Sequence, residues 1–114
     1  MTLSILTLSS SAWAGGTFEN GKTSLIIRNS GQYVGTVEIA IWTGSQKASY
    51  HGRVWWAGGS ANTPSEYTSW STYRRQVSIN RVLPVGSQVC AEGFYYLGAA
   101  GYRSIGRPCA TIGR

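Results

Sequence analysis

Between positions 33 and 43 the chain alternates. Val37, Ile39 and Ile41 are interleaved with Thr36, Glu38 and Ala40. A period of two is that of a strand with one face on the core and one in water. The pattern returns at 73–82, where Val77 and Ile79 alternate with Gln76, Ser78 and Asn80. No window carries an apolar stripe at helical spacing with proper caps, and the apolar residues are largely β-branched or aromatic. Further strands are predicted at 22–28, 47–57, 66–71, 87–97 and 102–112. Asn29-Ser30-Gly31-Gln32 and Leu83-Pro84-Val85-Gly86 read as turns, and 57–65 as a surface loop. The fold class that follows is all-β: a small antiparallel β-sandwich or sandwich-like barrel.

The last hairpin can be given a register. Gly98-Ala99-Ala100-Gly101 forms its tip. Reflection about the midpoint between Ala99 and Ala100 sets Cys90 opposite Cys109, Glu92 opposite Arg107, and Phe94 opposite Ile105. One register thus joins two thiols, a carboxylate with a guanidinium, and an aromatic with a β-branched residue, all favourable cross-strand pairs. It predicts a disulfide Cys90–Cys109 at a non-hydrogen-bonded position, with an ion pair Glu92–Arg107 beside it.

Composition narrows the chemistry. The chain has 114 residues, enough for one domain, with ten Lys and Arg against four acidic residues, a net charge of +6. All four acids are glutamates, and there is one histidine, His51. A Ser-His-Asp triad and an EF-hand loop both need aspartate, and a four-ligand Cys/His zinc site cannot be filled. No Gly-x-Ser-x-Gly elbow marks a nucleophile near His51. The glutamates read as surface or ion-paired groups rather than as a glycosidase pair. The expectation is a non-enzymatic protein with no metal and no cofactor.

Residues 1–14 read as a signal-peptide remnant. An apolar run from Leu3 to Leu8 is followed by Ala12-Trp13-Ala14, a small-x-small cleavage pattern, although no basic residue precedes Lys22. The β domain would then occupy 15–114, and two cysteines suit an oxidising, extracellular compartment. The segment Gly15-Gly16-Thr17-Phe18-Glu19-Asn20-Gly21 is glycine-rich, and two readings stand: a poorly anchored segment with Phe18 as an anchor for a partner, or a lead into the first strand with Phe18 packed in the domain's own core.

Five Trp, seven Tyr and two Phe are more than one small core can hold. Trp55 and Trp56 are adjacent, as are Tyr95 and Tyr96, so each pair splits across the two faces of a strand. Exposed aromatics favour binding, which makes Phe18, Trp55, Trp56, Trp70, Tyr73, Tyr95, Tyr96 and Tyr102 the candidate partner-binding residues. The arginines are spread along the chain and straddle strands, as Arg74-Arg75 does, so a nucleic-acid role is not favoured.

Val89-Cys90-Ala91-Glu92-Gly93-Phe94-Tyr95-Tyr96, followed by Gly101-Tyr102-Arg103-Ser104-Ile105-Gly106-Arg107-Pro108-Cys109, resembles small exported bacterial β-proteins with one C-terminal disulfide. In size and layout the chain is similar to the bridging subunit of umbrella-shaped toxin particles. That resemblance covers the last third of the chain and the overall plan. It implies a secreted adaptor joining protein subunits of a toxin assembly. Two other expectations stand beside it: a carbohydrate-binding module using exposed Trp and Tyr, and a cationic toxin or antimicrobial protein acting on an anionic envelope.

Overall fold

The computed structural model describes residues 11–12, 15–44, 46–68 and 72–113. The fold is an antiparallel β-sandwich of two sheets, with one 3-10 turn at Gly98–Ala100 and no α-helix among the described residues. The smaller sheet runs in the order β2 (Gly16–Asn20), β3 (Thr23–Ser30), β4 (Tyr33–Trp42), β8 (Thr72–Val82). The larger sheet is built on β5 (Ala48–Trp56) and β9 (Gln88–Tyr96), which lie side by side. Beside β5 lie β6 (Gly59–Asn62) and β7 (Glu66–Thr68). Beside β9 lie β10 (Tyr102–Ser104) and β11 (Cys109–Ile112). The backbone of β1 (Ser11–Ala12) pairs in parallel with β11. The rest of the expected signal-peptide segment lies outside the described residues.

The alternation of strands 33–43 and 73–82 is realised as an inner face. Leu25, Ile27, Val34, Val37, Ile39, Val77 and Ile79 of the smaller sheet pack on Val54, Val89, Ala91, Ala110 and Ile112 of the larger. Gly52 and Gly93 face each other across β5 and β9 and cut a notch in the larger sheet. A Cβ at Gly52 would run into Ile39, and one at Gly93 would run into Thr23 and come within 2.9 Å of Ile41 Cγ1. The notch lets the two sheets approach at their centre, which side chains there would forbid.

Two groups of polar contacts also tie the sheets together. On one side the Tyr73 hydroxyl shares a hydrogen bond with Thr63 Oγ1 at 2.8 Å and donates to the Pro64 carbonyl, while Arg75 pairs with Glu66 at 2.8 Å. On the other, Lys22 N–H and Thr23 Oγ1 both donate to the Ile105 carbonyl, and Arg107 N–H donates to Asn20 Oδ1. Removing the Tyr73 hydroxyl by Tyr73→Phe leaves the Pro64 carbonyl and Thr63 without that partner inside the protein. A loss of about 1–3 kcal/mol is expected in denaturant unfolding, and an unchanged midpoint would show that the bond is idle.

Cys90 and Cys109 form the disulfide, directly opposite each other with Cα atoms 4.1 Å apart. The neighbouring Ala91 N–H donates to the Pro108 carbonyl, so the cysteines occupy the non-hydrogen-bonded position as expected.

Four expectations are corrected. The return strand at 102–112 is broken by a bulge: Gly93 bonds both Ile105 N–H and the Gly106 carbonyl, so two residues oppose one. The bulge shifts the register by one, and Phe94 faces Ser104, not Ile105. Glu92 and Arg107, on the far side of the bulge, keep the expected register between the bonds Gly93 N–H to the Gly106 carbonyl and Ala91 N–H to the Pro108 carbonyl, but form no ion pair. Glu92 lies opposite Arg53, and the ion pairs among the described residues are Glu38–Arg74 and Glu66–Arg75. The expected loop at 57–65 contains β6, because Ala57 and Gly58 (φ +95°) make a two-residue hairpin turn that returns the chain along β5. The Gly15–Gly21 segment is not loose: it holds β2, which pairs with β3 at five successive positions and packs Phe18 against the core.

Candidate functional site

The outer face of the larger sheet carries an aromatic cluster assembled from three strands. Alternation sends Tyr50, Gly52 and Val54 of β5 inward, so His51, Arg53 and Trp55 face out. On β9 the outward set is Cys90, Glu92, Phe94 and Tyr96. His51 and Phe94 are cross-strand partners, and their rings stack at 4.9 Å. Tyr102 of β10 stands edge-on to His51 at 4.5 Å and packs on Tyr96 at 5.1 Å. Its hydroxyl lies 3.1 Å from Ser65 Oγ, just before β7, so its ring spans β9 and β5. Tyr67 on β7 extends the row, opposite Ser49 of β5. Tyr67, Tyr96 and Tyr102 are 69%, 47% and 46% exposed, an unusual share of large rings on one sheet face. Further along, Arg53 covers the half-buried Trp55 at 5.2 Å.

A cleft of about 430 Å³ opens at the end of the sandwich, around the other side of β10. Its walls come from the β2–β3 turn (Gly21, Lys22), the end of β4 and the following loop (Trp42, Thr43, Gln46), and β10 (Arg103, Ser104). Tyr50 and Tyr95 line its inner part, 6.3 Å apart by ring centroids. Lys22 Nζ sits over the Trp42 ring at 5.9 Å, and Trp42 is 59% exposed. Trp42 N–H is held by the Lys22 carbonyl, which fixes the strand end against the turn. Among the described residues two cations and no carboxylate line this cleft.

Burial holds the Tyr50 phenol above its ordinary value of 10.0, and the neighbouring Tyr95 adds to the effect. Tyr73 is also raised, chiefly by burial. Both phenols therefore remain neutral donors at physiological pH. The stability tied to those raised values is fully present below about pH 10 and lost as the pH climbs further.

The structure sorts the candidate residues. Tyr96 and Tyr102 are exposed on the aromatic face, with Trp55 half-buried on the same face. Tyr95 points to the cleft. Trp56 and Phe18 are half-buried against the main core, and Tyr73 is 1% exposed, so Tyr73 is a core residue and not a surface one. Its inward position on β8 and its bonded hydroxyl explain why. Trp70 lies outside the described residues. Trp42, Lys22, Gln46 and Arg103 are functional candidates absent from the sequence-based set. Trp42 had a signal, since it follows Ile39 and Ile41 on the opposite parity of the strand.

Comparison of the chain with known protein families, with characterised proteins and with solved structures finds no match. What fold and surface define by themselves is a disulfide-bonded all-β sandwich with an aromatic outer face and a cationic end cleft. Among the described residues no helix is long and apolar enough to cross a membrane.

Proposed function

We propose that this chain is a secreted, non-enzymatic binding protein that works as an adaptor, docking a protein subunit of an extracellular assembly on the aromatic face of its larger sheet. The observation that carries the reading is the packed cluster of His51, Phe94, Tyr96 and Tyr102 on a face open to solvent. Rings held by one another lose little freedom on binding, and tyrosine is the kind of residue that anchors interfaces. His51, the only imidazole, is engaged by two rings within this cluster. The disulfide supports an oxidising compartment.

The test is isolation of the tagged protein from the medium of the producing cells. The wild type is expected to bring one partner at fixed stoichiometry. Tyr96→Ser with Tyr102→Ser is expected to weaken that complex at least tenfold, while Trp42→Ala retains it. Equal retention by the double variant overturns the assignment of the face. Binding of the same face to immobilised neutral glycans would make the protein a carbohydrate-binding module instead. Salt-sensitive leakage of anionic vesicles would favour the cationic toxin.

A further inference from the structure

The end cleft lies apart from the outer aromatic face and asks for a different ligand. From its residues we infer that it binds a carboxylated pyranose, a sugar unit of the uronic-acid or sialic-acid kind. Four features converge on that chemistry. The cleft is open and about 430 Å³, within the usual range for small-molecule sites of roughly 300–1,000 Å³. Trp42 offers an exposed indole at the mouth, a flat surface suited to the C–H face of a sugar ring. Lys22 and Arg103 bring two positive charges to the same opening. Among the described residues neither has a carboxylate partner, because the ion pairs there are made by Arg74 and Arg75. Gln46 and Ser104 add polar groups on the walls, where hydroxyls of a sugar would need partners.

The combination discriminates between ligands. A neutral sugar would stack on Trp42 but leave two cations unanswered. Inorganic phosphate would meet the cations but present no apolar face to the indole. A pyranose bearing a carboxylate at the edge of its ring satisfies both at once. Lys22 already shows that a cation and the indole share one small space, with Nζ 5.9 Å from the ring centroid. The Tyr50 phenol, held neutral by burial, lies inside the cleft and adds no negative charge against such a ligand.

Calorimetric titration with a glucuronic-acid-containing disaccharide, followed in parallel by amide and indole NMR shifts, tests this. Saturable binding is expected, with shifts centred on Lys22, Trp42 and Arg103, and affinity falling as salt rises from about 50 to about 500 mM. Lys22→Gln and Arg103→Gln should each lose about tenfold, and Trp42→Ala should leave no measurable binding. All three sites are exposed, and an unchanged melting curve verifies that each variant is folded. Tyr96→Ser, on the outer face, should bind the disaccharide as the wild type does, which keeps this test separate from the adaptor reading. Equal affinity for the matched neutral disaccharide overturns the inference, as does equal affinity for inorganic phosphate. So does retention of binding by Trp42→Ala, or the absence of any heat or shift at about 10 mM acidic disaccharide.

Discussion

Gly106→Ala is expected to destabilise the protein by about 3–5 kcal/mol, more than any surface substitution would. Gly106 has φ +141°, a backbone conformation that side chains rarely adopt. Space is lacking as well. An added Cβ would collide with the Asn20 carbonyl oxygen and approach Thr23 Oγ1 to 2.9 Å. Neither neighbour can retreat easily. Asn20 ends β2, paired with Thr23 of β3, and its side chain accepts the Arg107 N–H at 2.9 Å, while Thr23 is fully buried. The substitution therefore strikes the point where the bulged strand crosses the smaller sheet. Gly98→Ala is the control: its φ is also positive, at +69°, but nothing lies within 4 Å of the added Cβ. It should cost only about 1–2 kcal/mol. Denaturant unfolding of both variants measures the difference. Equal midpoints would mean that the crossing at Gly106 is looser than described.

The disulfide is expected to have the next largest effect. Cys90 and Cys109 are 19 residues apart in sequence, and closing a loop of that size contributes about 3 kcal/mol in the chain-entropy account. Its position adds a second reason. It fastens β11 to β9 just beyond the bulge, where the ladder between the two strands has been interrupted. Replacing both cysteines by alanine should lower the melting temperature by roughly 15 °C. Reduction followed by alkylation of the wild type should do the same. A melting temperature that does not move would show that β11 is held by its backbone bonds and core contacts alone.

Much of this architecture is legible in the sequence, and the gaps have identifiable causes. Alternation at Val37, Ile39 and Ile41 locates a central strand of the smaller sheet, and the symmetric placement of Cys90 and Cys109 about the hairpin tip locates the disulfide. The same reflection fails for Phe94 with Ile105, on the tip side of the bulge, while for Glu92 with Arg107 it gives the register but no ion pair. A bulge depends on what the strand must cross, here the Asn20–Thr23 corner, and that corner is more than eighty residues away in the chain. Residue type alone puts Tyr73 among the surface candidates. Its parity with Val77 on β8 sends it inward, and its hydroxyl finds Thr63 and Pro64 there. The aromatic face was half visible, since Tyr95 and Tyr96 had to split. Which of the two faced out depended on which side the smaller sheet covers. The end cleft was not visible at all. Lys22, Trp42, Gln46, Tyr95 and Arg103 come from separate segments, and only the stacking of the sheets gathers them.

The extra residue at Ile105–Gly106 also acts as a frameshift within the strand. Before it, Tyr102 and Ser104 present even-numbered positions to the outside; after it, Ala110 and Ile112 present even-numbered positions to the core. One polypeptide thus supplies a tyrosine to the outer face and an isoleucine to the interior from the same numerical phase. Had the strand kept a single phase, either Cys109 would have turned away from Cys90 or Tyr102 would have turned inward from its place over His51. The length of 105–108 is therefore fixed to the residue. The tip at Gly98–Gly101, with open space around both glycines, carries no such constraint and is the part of this hairpin that can change length without disturbing either surface.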